Sequence, residues 1–250
     1  MRLNEAADLL GVHYQTAYAW VRSGQLPARK ISRGYEVSEE AVRTLARQRA
    51  AGREPAGQIK VRDWDVQSGR LYDAIIDGHE TQARRTLDRL AGHVSITDLC
   101  DRVIGPALRR IGAGWQAGTI TIAQEHRASA ICERLIAVHA TVPAGRPRGI
   151  AVVATPPGER HGLPALMAAA CLREHRWQVH HLASDLPAAE ISALAAKVGA
   201  DLVVLSTTSH DSAAVAEHVA ASVRADVPGA HVLVGHPGQT LAGLIAQTEL

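Results

Sequence analysis

Two pairs of polar side chains are the residues of this chain best suited to chemistry. Glu125 is followed directly by His126, and Glu159 lies two residues before His161. A neutral imidazole is a good metal ligand, and a carboxylate two residues away in an extended stretch can accept its other N–H and fix its tautomer. Trp115, ten residues before Glu125, adds a flat apolar surface. Together these residues can form two surfaces that close on one flat, metal-containing ligand.

Each of these features also has an ordinary structural explanation. A loop His beside a Glu is commonly a solvated surface pair, and a single Trp in a helical segment commonly belongs to a core. A Glu-His pair at a helix start commonly serves the helix dipole. Only the combination of these residues favours a ligand site. The prediction therefore depends on whether the helices and strands of the chain can bring them together.

Composition limits the class of protein. The chain has 250 residues, of which 46% are hydrophobic, which predicts more than one domain with its own core. Cys100, Cys132 and Cys171 lie far apart in apolar patterns and are expected to be buried thiols in a reducing compartment. With neither a signal peptide nor an apolar run of roughly 20 residues, we expect a soluble, cytoplasmic protein that does not bind membranes.

Two segments rich in Pro, Gly and charge, 51–57 and 143–149, have the composition of linkers. They predict three domains, at 1–50, 60–142 and 150–250. The predicted fold class is therefore multidomain: an α winged helix-turn-helix, a four-helix bundle and an α/β doubly wound parallel sheet.

The first domain combines two short helices, a hairpin and a third helix. Asn4 is expected to cap the first helix, Gly11 permits the turn, and the second helix runs from about His13 to Ser23. A hairpin is predicted over 28–37. This domain has eight Lys or Arg and five Asp or Glu, an excess larger than the whole chain's net charge of +2. The basic charge is therefore concentrated where DNA binding would need it.

This domain resembles the winged helix-turn-helix of the MerR and excisionase families over its full length, including the Ser-Gly-x-Leu-Pro turn at 23–27. The resemblance implies that double-stranded operator DNA is the partner. The residues that it places in the major groove are His13, Tyr14, Gln15 and Tyr18, and those that it places on phosphates or the flanking minor groove are Arg22, Lys30, Arg33 and Tyr35. The alternative is a small helical docking domain with solvated basic residues.

The middle domain keeps helical spacing throughout, and Thr121-x2-Gln124 predicts a capping box at the start of its last helix. Four helices with short loops predict an antiparallel bundle. Trp115 and the Glu125–His126 pair then lie around one end of that bundle.

The last domain alternates short apolar runs with amphipathic helices, which predicts a parallel sheet. Ligands of such sheets lie at the carboxyl ends of the strands, where His161, 206–208 and 235–236 are expected. No Gly-x-Gly-x-x-Gly follows the first strand, so a nicotinamide or flavin site is not predicted.

At this point the residues resemble a specific family, the CarH/LitR-type adenosylcobalamin photoreceptor repressors. Trp115 to His126 matches its W-x9-E-H pattern, and Glu159-x-His161 lies where cobalamin-binding domains have D/E-x-H-x-x-G. The resemblance implies that His161 is the axial ligand of cobalt and Glu159 its carboxylate partner. It also implies that Trp115, Glu125 and His126 cover the upper adenosyl group. The residues that it places beside the dimethylbenzimidazole tail are Ser206, Thr208 and Gly235.

Some positions depart from the family pattern. Pro164 stands where the motif has Gly, His236 replaces the second Gly of a usual Gly-Gly turn, and Gln116 stands where photoreceptor members carry a second cobalt-binding His. We also expect the sheet to have four strands, whereas the family pattern has a fifth.

The sequence therefore predicts a non-enzymatic, light-responsive repressor in which adenosylcobalamin controls DNA binding through a homo-oligomer, expected to be a homotetramer. One alternative is a corrinoid carrier for methyl transfer, which shares the last two domains and needs no basic head. Another is a light-independent regulator that senses a different form of cobalamin.

Overall fold

A computed structural model describes residues 1–10, 12, 14–31, 34–50, 63–140 and 142–248, without the side chains of residue 15 and of residues 47–50. Within it the chain forms two compact units. One is built from the described residues up to 50 together with 143–145, and the other from 63–140, 142 and 146–248. In the part of the chain so described, no helix is long and apolar enough to cross a membrane.

The first unit contains the predicted helices and hairpin. Its elements are α1 (Leu3–Leu9), α2 (Tyr14–Arg22), β1 (Ala28–Ile31), β2 (Gly34–Val37) and α3 (Glu39–Ala50). Ala17 and Trp20, one turn apart on α2, are buried in a core with Leu26. The predicted cap at Asn4 is wrong: the N-cap is Arg2, two residues earlier, and the Glu5 carboxylate accepts the backbone N–H of Arg2 at 2.8 Å.

The second unit begins with a helical layer. Its elements are α4 (Trp64–Ile76), α5 (Glu80–Ala91), α6 (Ile96–Leu99), a π-helical segment (Cys100–Ile104), α7 (Gly105–Gln116) and α8 (Ile122–His139). The predicted capping box at Thr121 and Gln124 is present and starts α8. Helix α4 packs against α5, α7 and α8, with buried Leu71 and Ile75 on its inner face.

The π-helical segment was not expected from the sequence, which predicts one continuous helix there. Pro106 has no N–H and its ring would collide with the carbonyl four residues earlier in an α-helix. The wider turn avoids this collision, and the Gly105 N–H bonds to the carbonyl of Cys100, five residues back. A Cβ at Gly105 would lie 2.9 Å from that carbonyl oxygen, so a side chain does not fit there.

The parallel sheet contains the four predicted strands. The elements are β3 (Ile150–Ala154), α9 (Gly162–Glu174), β4 (Gln178–His181), α10 (Ala188–Val198), β5 (Leu202–Leu205), α11 (His210–Asp226), β6 (His231–Val234) and α12 (Leu241–Ala246). The strand order is β4-β3-β5-β6, all parallel. Strands β3 and β5 are central and almost wholly apolar, as expected for a sheet covered on both faces. Their carboxyl ends meet at one edge.

Two carboxylates fix the helical layer to the sheet layer. Glu174, at the end of α9, accepts the backbone N–H groups of Ile96 and Thr97 at the start of α6. Asp101 accepts those of Leu241 and Ala242 at the start of α12. A negative charge at a helix start satisfies N–H groups that have no partner within the helix, so both contacts favour this arrangement of the two layers.

Candidate functional site

The loop after β3 buries the carboxylate of Glu159, whose side chain is only 2% exposed. One carboxylate oxygen accepts the backbone N–H of His161 at 3.0 Å and its Nδ1 at 2.6 Å. The other oxygen accepts the backbone N–H of Thr208 at 2.8 Å, the Thr208 hydroxyl at 2.7 Å and the Ser212 hydroxyl at 2.9 Å. Glu159 thus joins the β3–α9 loop to the β5–α11 loop.

These donors keep Glu159 ionised. Burial by itself raises the pKa of its carboxyl group, but the hydrogen bonds from Thr208 and His161 outweigh burial and lower the pKa to about 2. An ionised carboxylate has no proton to donate. The Nδ1 of His161 must therefore carry the proton, and a neutral His161 has its lone pair on Nε2.

The Nε2 atom of His161 is available to a ligand. The imidazole side chain is 73% exposed, and no hydrogen bond to Nε2 is formed by any residue that the structure describes. Within those residues no group of three or more His, Cys, Asp or Glu side chains is arranged to hold a bare metal ion. A single oriented imidazole instead suits a metal that already has most of its ligands from a macrocycle.

The backbone of the loop is fixed independently of its side chains. The Thr155 hydroxyl donates to the carbonyl of Glu159 at 2.6 Å and accepts the N–H of Asp185 at 2.8 Å. The Asp185 carboxylate accepts the N–H of Gly158, whose φ of +84° favours glycine. The loop therefore holds Glu159 in one position before any ligand binds.

The other predicted residues of this sheet edge follow β5 and β6. Ser206 is buried and its N–H bonds to the carbonyl of Ala154, while the Thr207 hydroxyl donates to the carbonyl of Gly235. A Cβ at Gly235 would lie 3.6 Å from the carbonyl oxygen of Leu205, which is an ordinary contact, so the space around Gly235 does not by itself require glycine. Glu159, His161, Ser206, Thr208 and Gly235 are therefore brought together at the carboxyl ends of β3, β5 and β6.

The departures from the family pattern are accommodated locally. Pro164 lies in the first turn of α9, where its missing N–H leaves no helical bond unmade. His236 is exposed, and its backbone N–H donates to the Gln239 side chain at 3.2 Å.

The predicted aromatic surface lies where α7 ends and α8 begins. Trp115, in the last turn of α7, is 49% exposed, which is unusual for so large an apolar side chain. Glu125 accepts hydrogen bonds from His126 Nδ1 at 2.5 Å and from the Ser129 hydroxyl at 2.8 Å. Gln116 is exposed beside Trp115. The helical layer therefore presents an indole and a carboxylate at one end.

The turn behind this surface depends on Gly114. Its carbonyl accepts the N–H groups of Thr119 and Ile120 and the Thr119 hydroxyl. A Cβ at Gly114 would lie 2.5 Å from the Cδ1 of buried Ile120. Gly118 then reverses the chain with a φ of +72°.

In the first unit, the predicted DNA-contacting residues are only partly described. His13 and Arg33, and the side chain of Gln15, lie outside the described residues. Tyr14 is 40% exposed on α2, and its ring centroid lies 6.3 Å from that of Tyr18. The Tyr18 ring packs edge-on against Tyr35 of β2, with 5.7 Å between the ring centroids. Arg22 follows on the last turn of α2, and Lys30 is exposed on β1. The aromatic row connects the second helix to the hairpin.

Sequence reasoning missed the groups that support the predicted side chains. These are Ser212 beside Glu159, Thr155 and Asp185 behind its loop, and Ser129 beside Glu125. Only Ser129 had a local signal, because it is four residues after Glu125 on one helix face. The others are brought to the site by the packing of separate elements.

Family models match three consecutive parts of the chain. A helix-turn-helix domain matches residues 1–50, one B12 binding domain matches residues 68–139 and a second B12 binding domain matches residues 149–245. Among solved structures, the monomethylamine corrinoid protein of Methanosarcina barkeri has the same fold over 75% of this chain and 100% of that protein. Its TM-score is 0.56 and its sequence identity is 14%.

Two curated relatives are transcriptional repressors rather than enzymes. The HTH-type transcriptional repressor CarH of Myxococcus xanthus is 27% identical, over 94% of this chain and 88% of that protein. The HTH-type transcriptional repressor CarA of the same organism is 29% identical, over 82% of this chain and 76% of that protein. The order of the three matched domains and the similarity to CarH and CarA along most of the chain support a CarH-type cobalamin-binding transcriptional regulator.

Proposed function

We propose that this chain is a light-responsive repressor that binds adenosylcobalamin through residues 60–142 and 150–250 and operator DNA through residues 1–50. The observation that carries the proposal is His161. Its Nδ1 is held by an ionised Glu159, its imidazole is 73% exposed, and no described residue hydrogen-bonds its Nε2. This is the donor expected for an axial ligand of cobalt.

The sheet edge would hold the lower face of the cofactor. His161 would donate Nε2 to cobalt, and Glu159 would fix the ring orientation through Nδ1. Ser206, Thr208 and Gly235, at the carboxyl ends of β5 and β6, would line the groove for the dimethylbenzimidazole tail. Cobalamin in its adenosyl form would supply a cobalt–carbon bond that light can break.

The helical layer would cover the upper face. Trp115 is 49% exposed, and covering this exposed apolar surface with a ligand would be favourable. Glu125 would accept hydrogen bonds from the hydroxyls of the adenosyl group, with His126 beside it. Gln116 is a poor cobalt ligand. On that face, His126 is the imidazole nearest to it in sequence.

DNA binding is proposed for the helix α2 and the hairpin β1–β2, acting as a wing. Tyr14, Gln15 and Tyr18 would read the major groove together with His13, and Lys30 would contact phosphate. The arginines proposed to contact the backbone are Arg22 and Arg33, with Tyr35 beside them. The adenosyl form would favour a homotetramer that binds DNA, and loss of the adenosyl group in light would release it.

The decisive experiment combines light, spectrum and DNA binding. The full chain is mixed with adenosylcobalamin in the dark, and its absorption spectrum, oligomer size and retention of operator DNA are measured before and after illumination. The proposal expects a spectrum of bound cofactor, a larger oligomer and tight DNA binding in the dark, all of which change on illumination. A light-induced spectral change without any change in oligomer size or DNA binding would refute the switch.

His161→Ala tests the axial ligand. In the reduced, paramagnetic cobalt state of the wild type, we expect nitrogen hyperfine coupling from the protein imidazole, and we expect the variant to lose it and to retain cofactor less well. His210→Ala, a substitution at an exposed residue at the start of α11, is the control and should leave the coupling unchanged. Unchanged nitrogen coupling in His161→Ala would show that His161 is not the ligand.

A further inference from the structure

Three arginine side chains line a cavity between α4 and α5. The cavity has a volume of about 370 Å³, and we refer to it as the arginine cavity. Its lining residues are Arg70, Gln82, Arg85, Thr86 and Arg89. None of them belongs to the sheet edge around His161 or to the surface around Trp115.

Helix geometry explains why these side chains converge. Residues 82, 85, 86 and 89 follow the spacing of one helical face on α5, and Arg70 reaches the same space from α4. Thr86 is buried at the base, and its hydroxyl donates to the Gln82 carbonyl at 3.1 Å. The charged side chains above it are exposed.

Among the residues that the structure describes, no carboxylate forms an ion pair with the arginine side chains of this cavity. Of the acidic residues on α5, Glu80 binds Arg134 at 2.7 Å and Asp88 binds His139 at 3.0 Å, both on α8. Within the described part of the chain, no ion pair or hydrogen bond engages the guanidinium groups of Arg70, Arg85 and Arg89. Positive charges that line one cavity repel one another, so this arrangement favours an anion that occupies the cavity.

We propose that the arginine cavity binds a small anion that carries two or more phosphate charges. Guanidinium groups form paired hydrogen bonds with phosphate oxygens, and three of them match a multiply charged anion better than a single carboxylate or chloride. The volume is at the lower end of that of small-molecule sites, which favours a compact ligand. The proposal depends neither on cobalamin nor on operator binding.

Titration calorimetry of the full chain with pyrophosphate, at low salt and without divalent cations, tests this site. Each guanidinium is expected to form charge-assisted hydrogen bonds with the anion, so Arg85→Gln and Arg89→Gln should each weaken binding about tenfold. Arg70→Gln should have the same effect from the neighbouring helix. Arg84→Gln is the matched control, because Arg84 lies on α5 outside the cavity in an exposed pair with Asp88. It should bind pyrophosphate within about twofold of the wild type.

Thermal unfolding of each variant shows that it is folded before its affinity is compared. Absence of pyrophosphate binding by the wild type, or an equal loss for Arg84→Gln and Arg85→Gln, would overturn the proposal. Duplex DNA without an operator distinguishes the other source of phosphate. If Arg85→Gln weakened binding to that DNA and left pyrophosphate binding unchanged, the small-anion site would be excluded.

Discussion

Glu159→Gln is the substitution that most directly tests the electrostatics of the site. It replaces a carboxylate that accepts five hydrogen bonds with an amide of almost the same shape. The amide oxygen can still accept, but its NH₂ group would face donors. We therefore expect the variant to be less stable than the wild type near neutral pH and to hold His161 less firmly.

The size and sign of the pH effect follow from the pKa. The folded-state pKa of about 2 lies below the ordinary value of 4.5, so ionised Glu159 stabilises the fold above pH 4.5. That stabilisation is lost as the pH falls towards 2. Each pH unit between the two pKa values corresponds to about 1.4 kcal/mol, or about 3 kcal/mol in all. About 2 kcal/mol of it should be lost between roughly pH 6 and pH 3.

Urea unfolding of both proteins across that pH range measures the effect. The difference in free energy of unfolding between the wild type and Glu159→Gln should shrink by about 2 kcal/mol on acidification. Glu217→Gln, an exposed substitution on α11, should follow the wild type at every pH. A difference for Glu159→Gln that stays constant with pH would show that Glu159 is not held ionised by its neighbours.

Two further predictions concern the DNA-binding unit and the turn behind Trp115. Lys30→Ala should weaken DNA binding about equally for all sequences, and the slope of affinity against salt concentration should fall by the amount expected for about one phosphate contact. Gln15→Ala should instead change the sequence preference. The same change in sequence preference for both variants would contradict these separate roles. Gly114→Ala should destabilise the second unit relative to Gly112→Ala by about 1–3 kcal/mol in urea unfolding, because only the Cβ at 114 meets Ile120. Equal stability of the two variants would show that Ile120 moves freely.

The sequence determined the features that depend on local pattern. The apolar runs at 150–154 and 202–205 became buried central strands, because a strand covered on both faces needs apolar residues at every position. Thr121 and Gln124 predicted the start of α8, since both bonds of a capping box lie within four residues. The spacing of Glu159 and His161 predicted their hydrogen bond for the same reason. That Glu159, His161 and the residues around them bind a cofactor remains a prediction.

Tertiary packing decided the contacts between residues far apart in sequence. The Ser212 hydroxyl donates to Glu159 across 53 positions, and Arg70 lines the same cavity as Arg85 and Arg89 only because α4 packs against α5. The π-helical segment around Cys100 also escaped the pattern, because the apolar periodicity continues through it while the hydrogen bonding changes. Periodicity reports which side of an element is buried, whereas the partner on the other side is set by how the elements pack.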